Sequence, residues 1–396
     1  MEKLRLYYRN KVEHTPILFK RYLWNQINWK SRLIVLLGAR GVGKTTLLLQ
    51  YIKEQQFDRE EALYVSLDDI YFANHTIIEL AEDFIKEGGT YLFLDEVQKY
   101  PNWSVEVKNI YDNYPELQLV LSGSSAIELF NSRGDLSRRA VYYRMTGLSF
   151  REFINYKEQK NLQSFTVEEI IEGHRDISFE ISRATKPIKL FKEYLKFGYY
   201  PYFEEDVETY HQRVAQVLYT VLEVDIPQVF HVDYGSVEKI KKLLAEMATM
   251  VPFKPNISSL SRKLNISRDI LIRYLKWLER ADIIQLLYSQ THGISALNKP
   301  EKIYLNNSNM AYAIHPTVNT GSIREGFFLN QLAEKHQIRY PDAGDFIVDD
   351  KWLFEIGGLK KNRRQITGIE NSYVVQDDLE VSTGKSIPLW LFGFIY

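Results

Sequence analysis

Apolar runs and amphipathic segments alternate along the N-terminal third of the chain. Four of the runs are apolar almost throughout and end at glycine, an acid or serine, which is typical of strands buried on both faces of a parallel sheet. They span residues 32–37, 62–67, 91–94 and 117–121. Apolar residues recur at helical spacing in three further segments, residues 17–29, 75–86 and 103–114. The pattern predicts an α/β layer built on a parallel sheet.

The pattern changes after about residue 150. Helical spacing then dominates, first alone and later with short strand-like pieces, before strands and helices alternate again toward the end of the chain. A chain of 396 residues is too long for one compact core. We predict four domains: a sheet domain at 1–155, a helical segment at 156–235, a winged-helix-like segment at 236–300 and an α/β domain at 301–396.

The first apolar run leads into a glycine-rich loop. Residues 38–45, GARGVGKT, match the pattern G-x-x-x-x-G-K-[ST] at every fixed position. Glycines let the backbone curl so that its N–H groups point at phosphate oxygens, and the helix that follows adds its positive N-terminal dipole. Lys44 would reach the β- and γ-phosphates, and Thr45 would bind Mg²⁺. The residues predicted to contact ATP are Gly38, Ala39, Arg40, Gly41, Val42, Gly43, Lys44, Thr45 and Thr46.

The third apolar run ends in two carboxylates, Asp95 and Glu96. Asp95 is suited to hold Mg²⁺ through water, and Glu96 would polarise the attacking water as a general base. Apolar residues followed by acids are also found at ordinary strand ends with a solvated turn. One helix–strand–helix unit after the glycine-rich loop, however, the pair is expected to complete a site for ATP hydrolysis.

Other polar side chains are candidates for contacts with the γ-phosphate. The fourth run ends in Ser122, which could sense this group through a hydrogen bond, and Ser124 is a second, weaker candidate. A mobile arginine near the γ-phosphate accelerates phosphoryl transfer by about 10³- to 10⁵-fold. The arginines that could supply it, or could simply form a solvated basic loop, are Arg133, Arg138, Arg139 and Arg144.

Composition and charge exclude several classes of function. The chain has no cysteine, so disulfides and thiolate zinc sites are excluded and a reducing, cytoplasmic location is expected. The longest aliphatic runs are far too short for a membrane span, and the N-terminus lacks a secretory apolar core. A formal net charge of −1 gives no overall basic field, so nucleic acid could bind only at a local patch.

The order of the motifs resembles a large prokaryotic family of AAA-type P-loop ATPases. The segments that carry the resemblance, which spans essentially the whole chain, are GARGVGKTTLL, YLFLDEVQKYPNW, LVLSGSS, LSRRAVYYRMTGLSFREF and YLKFGYYP. It implies a helical lid after the ATPase core, then a winged helix and a region similar to PD-(D/E)xK nucleases. It also implies that Ser122 is the sensor residue. Arg139 becomes the preferred arginine finger, although Arg138 replaces the family's usual glycine.

Residues 256–267 have the spacing of a helix-turn-helix, with Ser267 as the cap of the second helix. Apolar residues form one stripe of that helix: Ile270, Leu271, Tyr274, Leu275 and Leu278. Charged residues share the opposite face: Asp269, Arg273, Lys276 and Arg280. Residues 256–280 could therefore contact DNA or a protein partner. Asp269 would repel phosphate, so a solvated charged face is the plainer interpretation.

The C-terminal region carries acids in the order that the nuclease resemblance implies: Glu325 in a helix, Asp345 at a strand start and Glu355 on the next strand. Metal-dependent nuclease chemistry needs these carboxylates for Mg²⁺ and a lysine two residues after the last one. That position is Gly357 here, and Lys360 or Lys361 could substitute from the following turn. We therefore expect a retained fold without nuclease activity.

The sequence favours an ATP-hydrolysing, Mg²⁺-dependent conformational switch. If Arg139 acts in trans, the active form is a homo-oligomer, whereas a monomer could cycle if it acts in cis. One alternative is an ATP-regulated DNA-binding protein or nuclease. Another is a scaffold that binds nucleotide without hydrolysing it, against which Glu96 argues.

Overall fold

A computed structural model describes residues 1–58, 60–123, 136–230, 232–249, 255–290, 299–315 and 317–396. The candidates Ser124 and Arg133 lie outside these ranges. The chain divides into two compact units, Met1–Gly147 and Leu148–Tyr396. None of the helices in the described ranges has both the length and the hydropathy needed to cross a bilayer.

The first unit is built on a parallel five-stranded sheet. Its strands are β1 (Leu33–Leu37), β2 (Ala62–Ser66), β3 (Tyr91–Asp95), β4 (Gln118–Gly123) and β5 (Val141–Arg144). They lie in the order β2-β3-β4-β1-β5, and every neighbouring pair is parallel. The four predicted strands and the parallel sheet are thereby confirmed. The fifth strand was not predicted, because its residues are exposed or half-buried at the sheet edge and form no apolar run.

The α-helices in the described part of this unit are α1 (Glu2–His14), α2 (Lys44–Gln55), α3 (Ile77–Lys86) and α4 (Trp103–Asn113). The helices predicted near residues 75–86 and 103–114 are confirmed. The amphipathic helix predicted at residues 17–29 is wrong, because this stretch contains only a 3-10 turn at Tyr22–Asn25. The Gln50 side chain donates to the carbonyls of Pro16 and Phe19, so tertiary contacts hold this stretch in a non-helical conformation.

Strand order brings three loops together at one edge of the sheet. β4 lies between β1 and β3, with Ser122 opposite Leu36 and Leu121 opposite Leu94. Because the strands are parallel, their carboxyl ends share an edge, and ligands of open α/β sheets bind at this edge. The glycine-rich loop, Ser122 and Asp95 therefore lie side by side.

The second unit begins with helices, as predicted for residues 151–235. They are α5 (Phe150–Glu158), α6 (Val167–Ala184), α7 (Pro187–Phe197), α8 (Tyr210–Thr220) and α9 (Ile226–Phe230), with a π-helical turn at Val221–Asp225 between the last two. Three further helices follow, α10 (Tyr234–Thr249), α11 (Ile257–Lys263) and α12 (Arg268–Arg280). Ser267 caps α12 by accepting from the Ile270 amide, as predicted.

The remainder of the second unit mixes strands and helices. β6 (Ile284–Leu287) pairs antiparallel with β7 (Lys302–Leu305), and the helices α13 (Ser308–Ile314) and α14 (Thr320–Leu332) follow. A second sheet has the order β12-β11-β10-β9-β8. Its strands are β8 (Ile338–Arg339), β9 (Phe346–Val348), β10 (Trp352–Gly357), β11 (Ser372–Gln376) and β12 (Ser386–Pro388).

This second sheet is mixed: β8, β9 and β10 run antiparallel to one another, whereas β10, β11 and β12 are parallel. Phe328 of α14 packs against three aromatic rings of the sheet and the C-terminal segment, namely Phe346, Phe354 and Phe392, with centroids 5.3, 5.1 and 4.8 Å away. This aromatic cluster fixes α14 against β10. Glu325 of α14 is thereby held near Glu355 of β10.

Candidate functional site

The glycine-rich loop after β1 has a backbone that only glycine adopts readily. Gly41 and Gly43 have φ of 79° and 100°, in the left-handed region. A Cβ at Gly38 would overlap the carbonyl oxygen of Met145, which follows β5. The loop therefore passes close to β5 before α2 begins at Lys44, and its curled backbone is typical of an anion-binding loop.

Lys44 is nearly buried, with an exposed fraction of 5%. Its ammonium donates to the carbonyl oxygens of Gly38 at 2.9 Å and Ala39 at 2.8 Å, so the side chain folds back over its own loop. An ammonium with three donors can exchange such neutral acceptors for phosphate oxygens at little cost in geometry. Lys44 therefore begins α2 and its side chain lies over the loop that the sequence predicts to bind phosphate.

Asp95 collects the polar groups of four structural elements. Its Oδ2 accepts from the hydroxyls of Thr45 and Tyr64, each at 2.6 Å, and its Oδ1 accepts from the hydroxyl of Ser122 and from the Glu96 amide. The carboxylate is 2% exposed. Three of the predicted site residues, Thr45, Asp95 and Ser122, are thus in direct contact with one another through this group.

Tyr64 of β2 is a site residue that the sequence analysis missed. Burial, together with the adjacent Asp95 carboxylate, raises the pKa of the Tyr64 hydroxyl, so this group stays protonated and acts as a donor to Asp95. The only signal in the sequence is a tyrosine inside an otherwise aliphatic strand. That signal does not distinguish a site residue from an ordinary core tyrosine.

Glu96 follows Asp95 in a sharp turn, with φ of 54°. A non-glycine residue in the left-handed region costs about 1 kcal/mol or more, and such residues occur at turns and helix ends as well as at functional sites. Its carboxylate is half-buried and accepts from the Gln98 side-chain amide at 2.7 Å. The turn therefore keeps the two acids adjacent, with the Glu96 amide bound to Asp95 and the Glu96 carboxylate bound to Gln98.

Comparison with known proteins relates both units to described domains. Residues 30–154 match the model of a family described as AAA domain. This part of the first unit is therefore similar to AAA domains. Residues 188–320 match a domain of unknown function, DUF8612. Over its full length the chain is 26% identical to an uncharacterized protein of Methanocaldococcus jannaschii, of which it covers 94%.

Two solved structures are matched to part of this chain at low similarity. DnaA from Aquifex aeolicus, bound to AMPPCP, is 16% identical, with 70% of this chain and 88% of that chain covered and a TM-score of 0.28. PCH-2 of C. elegans is 15% identical, with 46% of each chain covered and a TM-score of 0.25.

Two of the candidate arginines, Arg139 and Arg144, lie at opposite edges of the first sheet. Arg139 precedes β5 and forms two hydrogen bonds of 2.8 Å with the Asp112 carboxylate at the end of α4. Both residues lie at the amino edge of the parallel sheet, whereas the P loop lies at the carboxyl edge. Arg144 ends β5 opposite Leu37, at the P-loop edge. Arg139 is therefore remote from the P loop of its own chain.

Arg21 is a second residue that the sequence analysis missed. Its side chain donates a hydrogen bond to the P loop. The side chain is buried, with an exposed fraction of 6%. Its guanidinium donates to the carbonyl of Val42 in the P loop at 2.6 Å, and to the carbonyls of Thr146 and Gly147 at 2.8 and 2.9 Å. One side chain thus ties the P loop to the segment that ends the first unit.

Replacing Arg21 by methionine is expected to lower the free energy of unfolding by about 1.5 to 3 kcal/mol, because hydrogen bonds from a charged donor are lost and buried carbonyls are left without a donor. Arg21→Lys should recover part of this loss. Urea-induced unfolding measures both variants, with the exposed Arg138→Met as the matched control. Equal stability of Arg21→Met and Arg138→Met would contradict the supporting role.

The second unit brings together the acids singled out in the sequence. Glu325 and Asp345 share one lysine, Lys302, and Glu355 pairs with Lys361. Of the two lysines that could replace the one missing at Gly357, the structure places Lys361 on the carboxylate. Within the described ranges, no group of three or more His, Cys, Asp or Glu side chains is arranged to hold a metal ion.

α12 has the buried and exposed faces expected from its sequence, with one exception on each face. Leu271, Tyr274, Leu275 and Leu278 are buried, whereas Ile270 is only half-buried. Asp269, Arg273 and Arg280 are exposed, whereas Lys276 is half-buried. The exposed face thus carries charges of both signs.

Proposed function

We propose that this chain binds Mg-ATP at residues 38–46, hydrolyses it, and uses the cycle as a conformational switch. The observation that carries the proposal is the cluster around Asp95, in which the Thr45 hydroxyl and a buried carboxylate meet beside the P loop. Thr45 and Asp95 are the groups that would hold Mg²⁺ directly and through water. An ordinary strand end does not need several hydroxyls bound to one buried carboxylate for its stability.

Each remaining site residue has one role in the proposal. The P-loop amides and Lys44 bind the phosphates, and Glu96 orients the attacking water as general base. Ser122 exchanges its hydrogen bond to Asp95 for one to the γ-phosphate or its water. Gln98, which donates to the Glu96 carboxylate, holds that base until ATP arrives.

Arg139 acts in trans in this proposal, because the parallel sheet places it at the edge opposite its own P loop. A homo-oligomer would then bring Arg139 of one chain to the nucleotide of the next. Until then, Asp112 holds the Arg139 guanidinium. The hydrogen bond that Asp112 accepts from Arg139 lowers the pKa of the Asp112 carboxyl, so both groups stay charged. Arg144 is the alternative source of a cation in cis.

Mixing two inactive variants tests the trans arrangement. Arg139→Ala keeps its P loop and Lys44→Ala keeps its arginine, so a mixture is expected to recover ATP turnover that neither variant shows alone. The mass in solution, measured with and without ATP, should rise with nucleotide. Turnover by Arg139→Ala alone at the wild-type rate would contradict a finger role, and Arg144→Ala would then be the variant to lose activity.

The second unit is proposed to respond to the cycle. Helices α10 to α12 followed by the antiparallel pair β6 and β7 support a winged-helix segment, and the mixed sheet with α14 supports the nuclease-like fold. Because the exposed face of α12 carries Asp269 with Arg273 and Arg280, we favour a protein partner over DNA for residues 256–280.

A further inference from the structure

The acids of the second unit converge on a lysine that comes from a different strand. Lys302 begins β7, and its side chain is 7% exposed. Its ammonium lies 2.8 Å from Glu325 Oε2 and 3.4 Å from Asp345 Oδ1. The ring of Tyr340 covers a further side, with its centroid 5.2 Å from the nitrogen. One compact cation is thus enclosed by two carboxylates and an aromatic face.

The oxygens of these carboxylates also have other partners. Glu325 Oε2 accepts from the Tyr304 hydroxyl at 2.5 Å, and Asp345 Oδ2 accepts from the Ile356 amide at 2.9 Å. Burial alone would lower the pKa of Lys302. The nearby Glu325 and Asp345 carboxylates outweigh this effect, so the pKa of Lys302 is raised overall. The lysine is therefore a charged member of the cluster.

The third acid, Glu355, is neutralised separately. It is fully buried, and its partner is Lys361, whose aliphatic stem lies where a side chain at Gly357 would have to pass. The side-chain amide of Gln365 is oriented so that both its oxygen and its nitrogen have suitable hydrogen-bond partners. In this orientation its nitrogen donates to Glu355 Oε1 at 2.8 Å. Lys361, in the turn after β10, therefore supplies the positive charge that is missing at Gly357.

A divalent cation does not fit this arrangement. Mg²⁺ needs near-octahedral oxygen ligands at about 2.0–2.1 Å, and the space between Glu325 and Asp345 contains an ammonium with longer contacts to the same oxygens. A metal could enter only by expelling Lys302 from a buried position, which would leave that ammonium without its carboxylates. Lys302 and Lys361 already balance most of the negative charge of the three acids in this cluster.

We propose that Lys302 takes the place of a divalent cation in this acidic cluster, so that the cluster is an internally neutralised ion-pair network that stabilises the second unit without metal. This differs from the metal-dependent chemistry that the nuclease resemblance implies. The network joins β7, α14 and β10, which are distant in the sequence. It is independent of the P loop, so the proposal stands or falls separately from ATP hydrolysis.

Mn²⁺ binding to the full-length chain without nucleotide tests the proposal, with the free ion followed by electron paramagnetic resonance. Wild type and Asp345→Asn are expected to bind the same amount of Mn²⁺, because the cluster takes none. If wild type binds one Mn²⁺ that Asp345→Asn loses, the proposal is overturned. This comparison involves no change at Lys302 and decides the question even if variants of that lysine fold poorly.

Lys302→Met supplies the converse result. Removing the ammonium leaves Glu325 and Asp345 unneutralised, so the variant is expected to gain one Mn²⁺ site, which the double variant with Asp345→Asn lacks. Its unfolding temperature should rise with Mn²⁺, whereas that of wild type should not. Lys351→Met, which removes an exposed lysine paired with Glu168, is the matched control and should gain no site. A Lys302→Met variant that gains none either would refute the substitution of lysine for metal.

Discussion

Replacing Lys44 by alanine is expected to weaken the binding of Mg-ATP on the order of 10²-fold or more and to abolish turnover. The reason is that Lys44 is the buried cation of the P loop, where its two acceptors are the loop carbonyls of Gly38 and Ala39. Without it, the phosphates would meet only the amides and the helix dipole. Titration of a fluorescent ATP analogue measures the loss.

The matched control for this change is Lys53→Ala. Lys53 lies on the same helix, α2, but its ammonium binds the carbonyls of Glu13 and Thr15, away from the P loop. This variant should bind ATP like wild type. Unchanged affinity in Lys44→Ala, with Lys53→Ala as reference, would show that the nucleotide binds elsewhere or not at all.

Glu96→Gln is expected to separate binding from hydrolysis. The substitution keeps the shape of the side chain and removes its basicity, so ATP should bind with wild-type affinity while turnover falls by about 10²- to 10⁴-fold, the usual contribution of a general base. Single-turnover hydrolysis of pre-bound ATP measures the chemical step apart from product release.

The control for Glu96→Gln is Glu54→Gln, because Glu54 is a surface acid whose partner is Lys20. It should hydrolyse ATP at the wild-type rate. If Glu96→Gln did so as well, Glu96 would not be the base. Asp95 is not the second candidate for this role, because the proposal assigns it to Mg²⁺ through water.

Much of the first unit could be predicted because its strands are buried on both faces. Such strands need continuous apolar runs, and β1 to β4 have them, whereas β5 lies at an edge and does not. The error at residues 17–29 has the opposite cause. Helical spacing was present there, but Gln50 of α2 binds the carbonyls of Pro16 and Phe19 and overrides local preference.

The site itself was predictable only where a motif fixes the chemistry. The P loop follows a fixed pattern and Asp95 ends an apolar strand, and the structure brings Thr45 and Asp95 into contact. Tyr64 and Arg21 act through hydrogen bonds across strands and loops, so their roles depend on the tertiary fold. Lys302 is the extreme case: nothing near it in the sequence predicts that it meets Glu325 and Asp345.

Calorimetric titration of Mg-ATP into the folded chain, freed of carried-over nucleotide, tests the central claim most directly. The account predicts saturable binding of one ATP per chain, lost in Lys44→Ala and retained in Glu96→Gln. Absence of any heat of binding from wild-type protein that is folded by circular dichroism would contradict it.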